Sequence, residues 1–378
     1  MAGPMSPSPS HAPPGVVPLQ AAPRGTARDA AAAPKAVVAL AAGRDPVALL
    51  RGLCALAVQR NTDGLFLAPG AFGLVLVPNG PAAAVEGALD SLGPSLPFPV
   101  RVTPPVPAGD WALRAGLDAA LHWAGPDGVL LTTEAGAVPE AGWVARAVAA
   151  LAEPQLDAVL GQVVPPAGTA AADAAGRYAA ALAALAARID PDTADAAPAH
   201  GQAATASFAL RGAVLRDLGG LPIGPQGGLP GLLAALRRRD GRIRHLEGMR
   251  VEASQPPQAI EPAMAAWRRL RARRAVRGFW AAGIGVFERE TPGFRRWAAR
   301  LGLSAGALGA ALSARRFGEA WAAVTAVSPV LAAPWLPPAA LPREILRARL
   351  LLAAAHVVVG PAGQPAAEPV RQVAPRGG

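Results

Sequence analysis

Short apolar runs alternate with amphipathic stretches between about residues 35 and 255. Four runs predict buried β-strands: VVALAA at 37–42, GLVLV at 73–77, GVLLT at 128–132 and DAVLGQV at 157–163. After the first run, Asp45 is a suitable helix N-cap and Pro46 a suitable first helical residue. The apolar face predicted for this helix consists of Val47, Leu50, Leu53 and Ala57.

Two more helices are predicted between these strands. Asp110 is placed to cap one of them, and the other carries Trp143, Ala147, Val148 and Leu151. Apolar strands separated by amphipathic helices predict an α/β fold with a mostly parallel sheet flanked by helices. Such sheets bind ligands outside the carboxyl ends of their strands, so a nucleotide is expected at residues 42–45, 78–80 and 133–137.

The remaining chain divides by composition. Residues 1–34 and 361–378 are rich in small residues and proline without periodicity, which predicts disorder on both sides of a 35–255 domain and a helical region at 256–360. An arginine-rich stretch at 264–280 spreads its charges around a helical wheel. Two interpretations stay open for it: a solvated helix over a core, or peripheral contact with anionic lipid or phosphate.

The net charge of +10 comes almost entirely from arginine, since Lys35 is the only lysine. This suits phosphate or carboxylate recognition, but GC-rich codon usage produces the same bias. Interleaved aromatic residues are missing, so nucleic acid is not an expected partner. The single cysteine, Cys54, excludes an internal disulfide framework and favours the cytoplasm, and no apolar run is long enough to predict a transmembrane helix.

Two segments carry a family resemblance. GVLLTTEAGAVPEAGW at 128–143 and the stretch from His200 to Arg250, which includes ASFALR and GGLPGLLAALRRRDGRIRH, resemble the metal-binding turn and the acceptor half of a bacterial family-two glycosyltransferase. The resemblance implies a GT-A fold that transfers a sugar from a nucleotide-diphosphate sugar to an acceptor hydroxyl. In the family's Asp-x-Asp turn, Glu134 matches the first acid and Gly136 replaces the second.

The segment at 200–250, which resembles the family's acceptor half, lacks the family's acidic pair as well. Alignment without gaps places Gly228 and Leu229 at the Glu-Asp pair, whose Asp is the family's general base. The helix itself is retained, with an apolar stripe of Leu229, Leu232, Leu233 and Leu236. By family position, His200 is the candidate catalytic residue that replaces the base, although a lone histidine is often structural.

Other family positions are matched in part. The resemblance places Asn79 near the nucleobase and Arg114 toward the diphosphate, although each also suits turn chemistry or a surface helix charge. The three acids of an Asp-Pro-Asp loop are open to cation binding or to simple turn formation; they are Asp190, Asp192 and Asp195.

These residues predict a degenerate glycosyltransferase-like protein with impaired catalysis. Its cofactor would be Mg²⁺ or Mn²⁺, held weakly by Glu134 together with the diphosphate of the nucleotide sugar, although Glu134 is equally a solvated loop acid. The alternative is a non-catalytic pseudo-glycosyltransferase that acts as a binding or scaffold subunit. A third class is an arginine-rich adaptor for anionic partners. The acceptor is unknown in each case.

Overall fold

The computed structural model describes residues 33–92, 95–166, 170–195, 199–224, 227–253, 261–282, 291–332 and 336–359. The segments predicted to be disordered, 1–34 and 361–378, lie outside this set except for residues 33 and 34. Within the described ranges the chain forms an α/β structure with one eight-stranded sheet and twelve α-helices.

The sheet has the strand order β3-β2-β1-β4-β7-β6-β8-β5. Its strands are β1 Ala36–Ala41, β2 Gly73–Val77, β3 Val100–Val102, β4 Val129–Glu134, β5 Val138–Pro139, β6 Ala158–Val164, β7 Phe208–Arg211 and β8 Ile243–Glu252. The four runs predicted as strands are present as β1, β2, β4 and β6.

The prediction of a mostly parallel sheet holds for only half of it. Strands β3, β2, β1 and β4 are parallel to one another, but β7 is antiparallel to both β4 and β6, and β5 is antiparallel to β8. Strands β6 and β8 are parallel. The sheet is therefore mixed, because the chain enters β7 from the edge at which β4 ends, with Phe208 opposite Thr132.

Helices pack on both faces of this sheet. The helices of the described chain are α1 Pro46–Ala57, α2 Ala82–Leu92, α3 Asp110–Ala124, α4 Trp143–Leu151, α5 Ala170–Ile189, α6 Gly212–Asp217, α7 Gly228–Arg238, α8 Ala263–Ala282, α9 Thr291–Arg300, α10 Ala305–Leu312, α11 Phe317–Val327 and α12 Leu341–Val359. One core contains α1, α2 and α4, and the other contains α3, α6 and α7. Burial on both faces explains why the strands are continuous apolar runs.

The start of α1 confirms the predicted cap, and three of the four residues predicted for its apolar face lie in or against the core, namely Leu50, Leu53 and Ala57. The Asp45 carboxylate accepts a hydrogen bond of 2.9 Å from the Val47 amide. Val47 is 63% exposed, whereas Leu49, Leu53 and Leu56 are fully buried against the sheet. These leucines form an i, i+4, i+7 stripe that faces the core, shares Leu53 with the predicted face and leaves Val47 outside it.

Helix α3 begins differently from the prediction. Its N-cap is Gly109, with a φ of 80°, and the cap position makes no side-chain hydrogen bond. Asp110 is instead the first helical residue, where a carboxylate is stabilised by the positive end of the helix dipole. The Asp110 side chain is thereby available for contacts outside the helix.

The described residues from 261 onward form helices α8 to α12, of which α8 and α12 pack on α5 and α11 packs on α7. Asp190, buried at the end of α5, pairs with Arg273 at 2.7 Å and Arg277 at 3.3 Å on α8. On α11, the Gly318 amide donates to Asp240 at 2.7 Å. No helix of the described chain is long and apolar enough to cross a membrane.

The three acids of the Asp-Pro-Asp loop each contact a different partner. Asp190 binds arginine, and Asp192 accepts from the Ala194 amide at 2.9 Å in a local turn. Asp195 lies 2.6 Å from Nδ1 of His245. Among the described residues, no group of three or more His, Cys, Asp or Glu could hold a metal ion. Turn and ion-pair chemistry therefore accounts for this loop.

Candidate functional site

A cleft of about 340 Å³ opens at the carboxyl ends of the parallel strands β1, β2 and β4. This is the edge of the sheet at which the sequence predicts a nucleotide, and the volume lies in the usual range for small-molecule sites. Its lining consists of Ala39, Ala41, Gly43, Val77, Asn79, Gly109, Asp110, Ala112, Leu113, Thr133, Glu134, Ala135 and Thr205. The cleft is thus formed by the ends of three strands together with the start of α3 and the turn before β7.

The loops after β1 and β2 are tied together at the rim of the cleft. The Gly43 amide donates to Oδ1 of Asn79 at 2.6 Å. Gly80 packs so closely that a Cβ there would overlap the Gly43 carbonyl oxygen. Asn79 therefore lies at the cleft, and its side-chain oxygen accepts the hydrogen bond that joins the two loops.

Glu134 is the last residue of β4 and lines the cleft. Its carboxylate accepts a hydrogen bond from the Thr205 hydroxyl, while the Thr205 carbonyl accepts one of 2.7 Å from the Thr132 hydroxyl. Thr205 lies in the 3-10 turn Thr205–Ser207 that precedes β7. Sequence reasoning missed Thr205, since only the antiparallel pairing of β7 with β4 places it beside Glu134.

A buried hydroxyl also lines the cleft beside Glu134. The Thr133 side chain is 3% exposed, and its Oγ1 has no hydrogen-bond partner among the described residues. Buried polar groups are almost always hydrogen-bonded, so an unpaired hydroxyl in a cleft marks a position that a ligand can satisfy. Thr133 falls in the segment 133–137 at which the sequence predicts a nucleotide, but no feature of the sequence singled out its hydroxyl.

The turn after Glu134 differs from a two-acid metal turn. Gly136 has a φ of 83°, and its amide donates to the Ala48 carbonyl at 3.1 Å. This left-handed conformation favours glycine over most residues that carry a Cβ. The turn therefore provides one carboxylate, which fits a divalent ion only if phosphate oxygens supply further ligands.

Helix α7 begins beside Asp110, which lines the cleft, although no residue of α7 is itself part of the lining. Leu229 is 3% exposed and belongs to the core with the other three leucines of the predicted stripe, all of them buried. Gly228 has a φ of 61° and abuts the Asp110 side chain. Neither position at which the family carries its acidic pair presents a carboxylate, but Asp110 does so beside them.

His200 does not reach the cleft. Its side chain is 5% exposed, its Nδ1 accepts from the Gln202 amide at 3.1 Å, and its Nε2 lies 3.1 Å from the Leu160 carbonyl oxygen. This arrangement makes Nε2 the protonated nitrogen of a neutral ring. Burial, followed by the charge of His245, lowers the pKa of His200 to about 4. Both ring nitrogens are engaged, and the residue has the surroundings of a structural histidine.

Arg114 lies one turn beyond Asp110 on α3 and is not among the residues that line the cleft. Its guanidinium donates to the Leu221 carbonyl at 3.1 Å and to Asp118 at 3.3 Å. Burial raises the pKa of Asp118 more than Arg114 lowers it. In this structure Arg114 joins α3 to the segment that leads into α7.

No protein-family model and no curated protein matches the sequence. Among solved structures, the mannosyltransferase PcManGT from Pyrobaculum calidifontis, in complex with GDP-Man and Mn²⁺, is similar with a TM-score of 0.44 and 19% identity, over 86% of this chain and 86% of that chain. S. aureus TarS 1-349 in complex with UDP is similar with a TM-score of 0.41 and 15% identity, over 63% of this chain and 64% of that chain. Functional inference therefore depends on the cleft itself.

Proposed function

We propose that this protein is a family-two-like glycosyltransferase of GT-A type that binds a nucleotide-diphosphate sugar in the cleft and transfers the sugar to an acceptor hydroxyl. The observation that carries the proposal is Glu134, which ends β4 inside the cleft in the family's metal-binding turn. The loss of the second acid in that turn supports impaired catalysis. The exposed single cysteine on α1 is compatible with a cytoplasmic protein.

In this proposal the cleft side chains contact different parts of the donor. Asn79 stands at the β2 end for the nucleobase, and Thr133 offers its hydroxyl to the diphosphate or sugar. Thr205 orients the Glu134 carboxylate, which would share a Mg²⁺ or Mn²⁺ ion with diphosphate oxygens. When bound, the ion neutralises negative charge on the leaving diphosphate.

A specific observation supports a second candidate, a non-catalytic pseudo-glycosyltransferase. The position of the family's base is Leu229, which is buried in the core rather than lining the cleft. A protein of this kind would use the cleft to bind a nucleotide and would act as a scaffold subunit. It would bind the donor without turning it over.

Thermal-shift screening followed by calorimetry tests the donor site. UDP, GDP, UDP-GlcNAc and GDP-Man are each titrated with and without Mg²⁺ or Mn²⁺. The transferase proposal predicts that metal tightens binding and that Glu134→Gln removes this enhancement, since the variant loses the only carboxylate of the turn. Glu86→Gln, on the exposed side of α2, is the matched control and should behave as the unaltered protein.

The outcomes separate the two candidates. Metal-enhanced binding with slow release of nucleoside diphosphate supports the transferase. Binding that is independent of metal and of Glu134, without turnover, supports the pseudoenzyme instead. Absence of binding for every nucleotide would rule out the donor site and with it both candidates.

A further inference from the structure

The carboxylate that the sequence lacks on α7 is supplied to the cleft by α3. Asp110 lines the cleft, and a Cβ built on Gly228 would overlap its Oδ1 and lie 2.9 Å from its Cγ. Gly228 is the first position of the family's acidic pair in the alignment. The Asp110 carboxylate therefore fills the space that a side chain of the missing pair would begin to occupy.

We propose that Asp110 is the general base of this protein, acting on the acceptor hydroxyl from α3 instead of α7. This inference rests on the proposed transferase function and deepens it. The carboxylate missing from α7 would then be replaced by one on α3 rather than lost.

The Asp110 carboxylate lies at the start of α3 and lines the cleft. Asp110 is in the first turn of the 15-residue helix α3, where the helix dipole stabilises negative charge. Its side chain is not consumed in capping that helix. The buried Thr133 hydroxyl, unpaired among the described residues, lines the same cleft and marks it independently as a place for a polar ligand.

Gly228 and Asp110 are mutually dependent in this arrangement. Gly228 adopts a φ of 61°, and its amide donates to the Pro222 carbonyl at 2.8 Å, which fixes the loop that leads into α7. Any side chain at 228 would collide with the carboxylate. The glycine at the first position of the acidic pair is thus what leaves room for the Asp110 carboxylate beside the position of the missing base.

The reaction balances with this one base. The acceptor oxygen forms a bond to the anomeric carbon of the donor sugar while its O–H bond breaks and the proton passes to Asp110. The bond from the anomeric carbon to the diphosphate oxygen breaks, and its electron pair leaves with the nucleoside diphosphate. In this proposal Glu134 lies on the donor side and takes no part in the proton transfer.

The first test compares turnover and donor binding in Asp110→Asn, which preserves the size of the side chain. Release of UDP or GDP from the nucleotide sugars is measured with the full-length protein, and donor affinity is measured by calorimetry. Turnover should fall by about 10²- to 10⁴-fold, the usual contribution of a general base, with donor affinity changed by less than about 3-fold. Asp127→Asn, an exposed acid in the loop at the other end of α3, is the matched control and should retain full turnover.

A relocation variant provides the second test. Asp110→Ala removes the carboxylate that obstructs position 228, and adding Gly228→Asp returns a carboxylate on α7. Aspartate tolerates a positive φ better than most residues do. The double variant should recover at least about 10-fold of the turnover lost in Asp110→Ala, within the range a base contributes.

Two results would overturn the assignment while leaving the proposed function intact: full turnover in Asp110→Asn, or a loss of turnover that is explained by lost donor binding. If the unaltered protein binds a donor but releases no nucleoside diphosphate, both the transfer reaction and the role of Asp110 are wrong. If the double variant stays as inactive as Asp110→Ala although it binds donor and melts at the same temperature, relocation of the base is refuted.

Discussion

Mild acid should destabilise this protein through His200. The imidazole is buried and neutral, and its pKa lies near 4 instead of 6.5. In the unfolded chain the same side chain takes up a proton near its ordinary pKa. Between these two pKa values the unfolded state therefore binds more protons than the folded state, so stability is complete above about pH 6.5 and is lost as the pH falls toward 4.

The magnitude follows from the two pKa values. One pKa unit corresponds to about 1.4 kcal/mol, so protonation of this single group should lower the free energy of unfolding by about 2 kcal/mol between pH 7 and pH 5. Two opposing effects act on the pKa of the neighbouring residue Asp195. Burial raises this pKa, but the hydrogen bonds and charge of His245 lower it overall. The lowered pKa of Asp195 means that this acid does not account for a loss of stability between pH 7 and pH 5.

Urea unfolding at a series of pH values measures the effect. His200→Gln is the comparison, because glutamine cannot be protonated and its amide is able to donate to the Leu160 carbonyl. The unaltered protein should lose about 2 kcal/mol more than the variant between pH 7 and pH 5. Equal losses in the two proteins would refute the reasoning. Retained turnover in His200→Gln at neutral pH would further separate this residue from catalysis, and its loss would restore the family-based expectation.

Two further predictions concern the packing behind the site. Ser207→Ala leaves the buried Trp143 indole N–H, 2.9 Å away, and the Met249 carbonyl, 3.0 Å away, without their partner, and should lower the free energy of unfolding in urea by about 2–4 kcal/mol. Asp190→Asn breaks the pairs with Arg273 and Arg277 and should cost about 2–3 kcal/mol, since both arginines are partly exposed. Limited proteolysis should then cut the helices beyond residue 261 faster, and an unchanged cleavage rate would contradict this attachment.

The sequence by itself determined the elements whose residues act locally. Apolar runs specified β1, β2, β4 and β6 because strands buried on both faces need continuous apolar side chains. The leucine stripe of α7 and the cap of α1 were likewise readable from spacing alone. Glu134 and Asn79 line the cleft because one ends β4 and the other follows β2, whereas their roles toward a metal ion and a nucleobase stay predictions.

Only the tertiary structure decided which side chains meet in the cleft. Thr205 reaches Glu134 across 71 residues because β7 runs antiparallel to β4, a direction that no local pattern encodes. Asp110 reaches Gly228 because α3 and α7 pack on the same face of the sheet. His200 is withdrawn from the cleft for the same kind of reason, since its ring is buried against β6 and His245. Hydrophobic spacing specifies which face of an element is buried, whereas the neighbours on that face depend on how the elements pack together.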